Sequence, residues 1–190
     1  GEAMRNILII LFSLTFGIAS TWQNIQSPTE TQTILNVQSG SLEHSVVEFN
    51  MDGFHLIKSD NSESNSYRVK TENGASILDE GYPDLHTFST SIIVPDQSKM
   101  SINIISYEYH DYENIHITPS KGNLTRDINP DEVPLLYTDI YKKDTFFPPS
   151  ISELGNPYIV RDLRGQALTF NPFQYNPVTK ILRVYSEIIV

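Results

Sequence analysis

Short runs in which apolar and polar side chains alternate recur along most of the chain, and turn residues separate them. A period of two residues is typical of β-strands, and Asp52-Gly53 and Asn73-Gly74 are signals for tight hairpins. Residues 135–141 fit either a strand or a helical turn, and no long amphipathic helix is predicted. This spacing favours an antiparallel β-sandwich or β-barrel. The predicted strands are 33–37, 45–49, 54–58, 67–71, 75–78, 87–94, 100–110, 114–118, 158–163, 166–170 and 180–190.

The longest alternating run covers residues 100–110. Its two faces carry isoleucines such as Ile102 and tyrosines such as Tyr107 and Tyr109. Because both faces hold large apolar or aromatic side chains, we expect both to be partly covered. Residues 20–30 are mostly polar, and we expect a loose lead-in there.

The N-terminus has the pattern of a secretory signal peptide. Arg5 precedes an apolar run of about ten residues, and the small residues Gly17 and Ala19 precede the predicted cleavage site. The run is shorter than the span of about 20 residues that a membrane helix needs. Residues 1–3 are interpreted as a cloning remnant or translated upstream sequence. We therefore predict a single secreted domain over residues 20–190, with no membrane contact after signal removal. The chain ends inside a predicted strand, which indicates a fragment of a longer polypeptide.

Charge and cysteine content exclude several classes of function. The formal net charge of −10 argues against nucleic acid or an anionic membrane as a partner, because both attract clusters of lysine and arginine. The chain contains no cysteine, which excludes disulfides, thiolate zinc sites and a thiol nucleophile.

No constellation of catalytic or metal-binding residues stands out in the sequence. A metal site that combines two of the histidines with the acidic residues between them is conceivable, but such residues on strands more often pack or face solvent. There is no Gly-x-Ser-x-Gly nucleophile elbow. We predict no metal, no cofactor and no catalytic residue. The histidines are His44, His55, His86, His110 and His116.

Residues 119–134 form a long predicted loop that is rich in Gly, Asn, Asp and Pro. Loops of this length in compact domains are usually functional or disordered. Arg126 lies in it, after Ser120, and by itself has the pattern of a solvated arginine. Farther along, Arg161 and Arg164 are spaced so that they can bind carboxylates or carbonyls of the fold. We expect the loss of either to lower thermal stability.

Several motifs together resemble the N-terminal pro-domain of gingipain-type cysteine peptidases, which Bacteroidetes secrete. The resemblance implies an all-β, antiparallel, jelly-roll-like β-sandwich with short helical turns at most. It also implies a pro-domain that precedes a caspase-like catalytic domain, helps it to fold and blocks its active-site cleft until removal. The motifs are Gly81-Tyr-Pro83, Pro119-Ser-Lys-Gly122, Val133-Pro134, Phe147-Pro148, Arg161-Asp-Leu-Arg-Gly-Gln166 and Gln174-Tyr-Asn-Pro-Val-Thr-Lys180.

The resemblance assigns roles to individual residues. It implies that Arg126 fills the primary specificity pocket of the cognate peptidase, with Lys121 as a neighbouring candidate and with Ser120 and Gly122 in the same inhibitory loop. The implied partner is the cysteine peptidase domain of the same precursor, and the chain itself is expected to be non-catalytic. A second set of residues is expected to be structural: Arg161, Asp162, Arg164, Gly165, Tyr175 and Asn176.

Two other interpretations are open on the residues alone. A secreted β-sandwich can be a binding or adhesion module, which would show exposed aromatic residues on one sheet face if it bound carbohydrate. A stand-alone hydrolase would need a pocket in which an acid, a base and a nucleophile converge. A pro-domain would instead show an ordered or protruding 119–134 loop.

Overall fold

The structure is a computed structural model that describes residues 20–190 except for 28, 32, 39–43, 60–65 and 96. The described residues form thirteen strands and two short 3₁₀ turns. The predicted signal peptide, residues 1–19, lies outside the described residues. The strands are β1 Ser20–Asn24, β2 Ile34–Gln38, β3 Val46–Asn50, β4 Gly53–Lys58, β5 Ser66–Lys70, β6 Ala75–Ser76, β7 His86–Ile93, β8 Ser106–Tyr112, β9 His116–Ile117, β10 Ser152–Val160, β11 Leu163–Phe170, β12 Phe173–Asn176 and β13 Ile181–Ile189.

The strands are arranged in three sheets, and all pairs are antiparallel apart from the short pair β5–β9. The first sheet has the order β1-β4-β5-β9, the second β10-β11-β7-β6, and the third β12-β13-β3-β2. In the third sheet β13 also pairs with β8, along the side opposite to β12 and β3. This architecture confirms the predicted all-β antiparallel sandwich.

Aromatic side chains from all three sheets meet in one buried core. Phe49 on β3 packs against Phe88 on β7 and Phe170 on β11, with ring centroids 5.2 and 5.7 Å apart. Phe54 on β4 meets Phe173 on β12 at 5.3 Å. All five residues are at most 3% exposed. Because burial of one such side chain stabilises a fold by about 1.5–3 kcal/mol, the cluster is a main connection between the sheets.

The run 100–110 differs from its prediction. The strand begins only at residue 106, and residues 106–111 are exposed. The cover of the two faces of the run is limited to a few contacts: Ile102 packs against the core, and the Tyr107 ring packs against Tyr185. Tyr112 at the end of the strand does reach the core, where its ring meets Phe54 at 5.4 Å. Alternation predicts an extended backbone, but it does not predict whether anything packs on an edge strand.

Three other strand boundaries differ from expectation. The predicted strand 158–163 is interrupted, because the exposed two-residue turn Arg161-Asp162 separates β10 from β11. β1 was expected to be a loose lead-in, but it pairs with β4 and places Trp22 against His55, with centroids 5.1 Å apart. All four residues of β12 are buried, so the strand lacks the alternation of buried and exposed side chains by which a strand is predicted.

Helical structure is confined to the two 3₁₀ turns among the described residues. They cover Pro130–Glu132 and Asp139–Lys142, and the second confirms the helical alternative for 135–141. Within the same residues, no helix has the length and apolar composition that crossing a bilayer requires.

The two arginines of the β10–β11 hairpin differ in their surroundings. The Arg164 Nη1 donates to the carbonyl oxygens of Pro95 at 3.0 Å and Ser98 at 2.8 Å, which connects β11 to the chain that leaves β7. Arg161 is exposed in the turn and has a φ of 56°, a left-handed conformation that is unfavourable for a residue with a Cβ.

These surroundings revise the expectation that the loss of either arginine lowers stability: we keep it for Arg164 and expect the opposite outcome for Arg161. Arg164→Ala should lower the free energy of unfolding by about 1–2 kcal/mol, because two carbonyls lose a charged donor. Arg161→Gly should leave it unchanged or raise it by up to ~1 kcal/mol, because glycine adopts positive φ without strain. Urea denaturation measures both values. Equal losses in the two variants would mean that both arginines stabilise the fold by the same kind of contact.

Candidate functional site

The chain that enters the long loop pairs with the residues just before β7. The backbone N–H of Ser120 donates to the Tyr82 carbonyl at 2.7 Å, and the Gly81 N–H donates to the Ser120 carbonyl at 2.9 Å. The Asp84 N–H donates to the Thr118 carbonyl, also at 2.9 Å. These bonds fix the base of the loop beside the start of β7.

Ser120 and Gly122 belong to this base. Ser120 is only 5% exposed, and its Oγ accepts a hydrogen bond from the Gly122 N–H at 3.2 Å. Gly122 has a φ of 77°, and a Cβ there would lie 3.1 Å from the Cβ of Glu80. Glycine meets both requirements, because it adopts positive φ and has no Cβ. The two residues turn the chain out of the paired segment and into the loop.

Further contacts fix the loop across its width and at its far end. The Lys121 Nζ donates to the carbonyl of Pro130. The N–H and the hydroxyl of Thr138 both donate to the Gly81 carbonyl, at 3.2 and 2.9 Å. Because Gly81 also donates to Ser120, both ends of the loop meet at Gly81. The 119–134 loop therefore has a defined base on both sides.

Arg126 lies in a turn on the outer part of the loop. The turn covers residues 125–128 and is closed by a hydrogen bond from the Ile128 N–H to the Thr125 carbonyl at 3.1 Å. The Arg126 side chain is exposed, and within the part of the chain that the structure describes its guanidinium has no hydrogen bond, ion pair or ring contact. Next to it, a hydrogen bond from the Thr125 hydroxyl lowers the pKa of Asp127.

Large apolar side chains are exposed on the loop and beside its base. The ring of one of them, Tyr137, contacts the ring of Tyr141, with centroids 4.8 Å apart. Protein interfaces are enriched in arginine and aromatic residues, and the composition of this surface is similar. The exposed side chains are Leu78, Ile128, Leu136 and Tyr137, with exposures between 41 and 53%.

A depression of about 510 Å³ lies at the base of the loop, bounded by Arg68 on β5, by β6 and by residues 118–122. Asp84 lines it, and burial raises the pKa of this carboxyl to about 6, although the charge of Arg68 acts in the opposite direction. No histidine is among the described residues that line the depression. In the described ranges, no three His, Asp or Glu side chains are grouped to hold a metal ion.

The residues that were expected to be structural lie in strands and turns rather than in the loop. Gly165 lies beside the Tyr158 ring, which a Cβ would meet at 2.8 Å. Tyr175 is fully buried on β12. The Asn176 Oδ1 accepts hydrogen bonds from the N–H groups of residues 178 and 179 at 3.1 and 3.2 Å, which shapes the turn into β13.

The sequence did not identify Gly81 and Thr138 as the residues that close the loop. Gly81 has a φ of 80°, and a Cβ there would lie 2.5 Å from the Thr138 Cγ2. A glycine close to a proline is a detectable signal for a turn. The partner of Gly81, Thr138, lies 57 residues later in the chain, and no local pattern reveals such a distant hydrogen bond.

The positive φ of Gly122 leads to a stability prediction. We expect Gly122→Ala to lower the free energy of unfolding by about 1–2 kcal/mol, the cost of a left-handed conformation for an L-residue. Gly155→Ala is the matched control, because Gly155 lacks a positive φ and its added Cβ would lie 3.4 Å from that of Ala167, an ordinary contact. Urea denaturation measures both variants. A similar loss in both would show that the backbone conformation is not what requires glycine at 122.

The burial of Asp84 leads to a prediction about pH. Its folded pKa of about 6 exceeds the ordinary value of 3.8, so the folded state binds this proton more tightly than the unfolded state. The resulting stabilisation is complete below the ordinary pKa and is lost as pH rises through about 6. The side chain introduced by Asp84→Asn does not ionise, so only the wild type loses this stabilisation. We expect the free energy of unfolding of the variant, relative to that of the wild type, to rise by roughly 1–3 kcal/mol between pH 4 and pH 7.

Taking this difference removes an opposing contribution from His86, because both proteins contain it. Burial lowers the pKa of His86 to about 4. Its contribution to the free energy of unfolding is therefore lost as pH falls, whereas that of Asp84 is lost as pH rises. Urea titrations of both proteins at the two pH values provide the measurement. A difference that does not change with pH would contradict the assigned ionisation of Asp84.

Comparisons with known proteins agree with this architecture. The Propeptide_C25 family model matches residues 24–190. Gingipain R2 of Porphyromonas gingivalis is 35% identical over 186 residues, which are 98% of this chain and 25% of that protein. Gingipain R1 of the same species is 36% identical over 144 residues, which are 76% of this chain and 14% of that protein. The chain thus spans a quarter or less of the length of these relatives.

Two solved structures have the same fold. The complex of the P. gingivalis RgpB pro- and mature domains matches with a TM-score of 0.78 and 36% identity, covering 82% of each chain. A structure on the zymogenic latency of gingipain K from the same species matches with a TM-score of 0.73 and 20% identity, covering 90% of this chain and 97% of the other. The family match and the identity to the gingipain R proteins confirm the resemblance of the motifs, and the chain belongs to the Propeptide_C25 family.

Proposed function

We propose that this chain is the pro-domain of a secreted cysteine peptidase precursor, that it assists folding of the catalytic domain and that it keeps that domain latent. Its family and its gingipain R relatives support this function. A structural neighbour with 36% identity is a complex of a pro-domain with a mature domain, so the proposed partner is the peptidase domain of the same precursor. The chain contains no cysteine to provide a thiolate, and the proposed role is non-catalytic.

The observation that carries the inhibitory role is the contrast between the base and the outer turn of the loop. Ser120 is buried, and its backbone pairs with Gly81 and Tyr82. Arg126 lies in a closed turn and is exposed, with no partner for its guanidinium among the described residues. We propose that Arg126 occupies the primary specificity pocket of the peptidase, and that Ser120 and Gly122 position the loop rather than contact the enzyme.

The chemistry of a guanidinium suits this role. Its planar fork can form two parallel charge-assisted hydrogen bonds with a carboxylate in a pocket. Arginines that lose their solvent in an interface are frequent hot spots, and their truncation often costs about 2 kcal/mol or more. Because the base of the loop is fixed before binding, less conformational entropy is lost when the partner binds. The exposed Ile128, Leu136 and Tyr137 would add apolar contact area around the charged side chain.

A second candidate function, carbohydrate adhesion, has one observation in its favour. Tyr107 and Tyr109 are exposed on the same face of β8, as the adhesion interpretation requires. Their rings, however, already contact other side chains. The Arg183 guanidinium lies 4.2 Å from the centre of the Tyr109 ring, and Tyr107 packs against Tyr185 with centroids 5.6 Å apart. The family match therefore makes the pro-domain role the stronger candidate.

We expect Arg126→Ala to weaken inhibition of a gingipain R catalytic domain by at least tenfold, roughly 1.4 kcal/mol. Arg126→Lys should restore part of the loss, because an ammonium supplies the charge but not the planar fork. The measurement is the inhibition constant of purified residues 20–190, assayed with a small peptide substrate of the enzyme, and circular dichroism confirms that each variant is folded.

Arg161→Ala is the matched control, because Arg161 is also exposed in a turn and lies outside the loop. It should leave the inhibition constant unchanged. If folded Arg126→Ala inhibits as well as the wild type, Arg126 is an ordinary solvated residue and another surface accounts for latency. If the wild-type chain does not bind the enzyme, the pro-domain role itself fails.

A further inference from the structure

The strand β8, Ser106–Tyr112, is an edge strand whose residues 106–111 are all exposed. On one side it pairs with β13 over residues 182–189. On its other side, no strand of the described part of the chain pairs with it. In an antiparallel ladder, alternate residues point their N–H and C=O groups to each side. The free side of β8 therefore presents backbone donors and acceptors that a further strand can use.

Several features that protect sheet edges are missing from this strand, although it contains the acidic residues Glu108 and Asp111. Natural edge strands are often short, or contain lysine, proline or a bulge that prevents pairing with another chain. β8 has seven residues, SYEYHDY, without lysine or proline. The irregularity in its pairing lies on β13, between Tyr185 and Glu187, so β8 itself continues without a bulge. Its three tyrosines favour extended structure.

We propose that the free edge of β8 binds the same edge of a second copy of this chain, antiparallel and centred on Tyr109. In this register Glu108 lies opposite His110 of the partner subunit, and the pair occurs twice because the arrangement has two-fold symmetry. Opposite charges or hydrogen-bonding partners across a ladder stabilise it, and like charges destabilise it.

The alternative registers are less favourable. Only every second residue of β8 points its N–H and C=O groups to the free edge. These residues must lie opposite the equivalent residues of the second copy, so one strand can slide along the other only by an even number of residues. A register centred on Glu108 places two glutamates opposite each other, and one centred on His110 pairs two histidines. Only the register centred on Tyr109 places the Glu108 carboxylate opposite the His110 imidazole, with which it can form a hydrogen bond.

Two residues of the strand are already fixed in a single copy. The Arg183 Nε and Nη2 donate to the two carboxylate oxygens of Asp111 at 2.8 Å each, and the guanidinium lies over the Tyr109 ring. This contact neutralises Asp111, which would otherwise add a like charge near Glu108. Each copy offers one such edge, so the pairing closes at a dimer. The net charge of −10 per copy opposes association and makes the dimer tighter at higher salt.

Sedimentation equilibrium of residues 20–190, the chain without the predicted signal peptide, from micromolar to about 0.5 mM, tests this proposal. We expect a monomer–dimer equilibrium. His110→Glu should raise the dissociation constant at least tenfold, because both Glu–His pairs become pairs of like charge. The double change Glu108→His with His110→Glu should return the constant to within about threefold of the wild type, because it restores both pairs in exchanged positions.

Asn123→Glu is the matched control, because it makes the same change in net charge at an exposed position outside β8. It should leave the dissociation constant nearly unchanged. A chain that is monomeric at every concentration overturns the proposal. So does a dimer that His110→Glu does not weaken, or one that Asn123→Glu weakens equally. Amide exchange in β8 that slows only when a peptidase domain is added would assign this edge to the peptidase instead.

Discussion

The packing of phenylalanine rings between the three sheets is the interaction on which the rest of the structure depends. Phe49, Phe88 and Phe170 connect the second and third sheets, and Phe54 with Phe173 connects the first and third. Such a core cannot form within one hairpin, because its members come from distant parts of the chain. No single sheet contains the complete core, because each supplies only some of the packed rings.

The position of the 119–134 loop follows directly from this core. Ile117 and Leu85 are both 0% exposed and belong to the buried cluster. Residues 118–120 directly follow Ile117, and residues 81–84 directly precede Leu85. Each of the two paired segments at the base of the loop is therefore attached to a core residue. Packing in the interior thus fixes where the loop leaves the domain, although Arg126 itself touches none of the core.

The domain combines a fixed base with an exposed outer turn, and the proposed inhibitory role needs both properties. A side chain that enters a pocket has to be free of competing contacts, whereas the backbone that carries it benefits from being ordered before binding. Gly81 and Gly122, both with positive φ, allow the close backbone approach at the base. The edge strand β8 shows a related contrast on another surface, because its inner side is fully paired with β13 while its outer side presents unpaired backbone groups.

The sequence by itself determined the class of fold, the family and the identity of most strands. Alternation indicates one buried face, because it depends on residues that are close in the chain. The turn dipeptides Asp52-Gly53 and Asn73-Gly74 lie where one strand is followed by the next, but the predicted hairpins are wrong, since the strands on either side belong to different sheets. The sequence failed where contacts between distant residues decide. β1 is polar and exists through its pairing with β4, β12 is buried on all sides, and residues 106–111 alternate although they stay exposed at the edge of a sheet. Local propensity could not show that Thr138 closes the loop on Gly81, because a hydrogen bond across 57 residues depends on how the sheets pack. The motif indicated Arg126, but only the tertiary structure decided that Ser120 is buried in the base of the loop while Arg126 faces solvent in its outer turn.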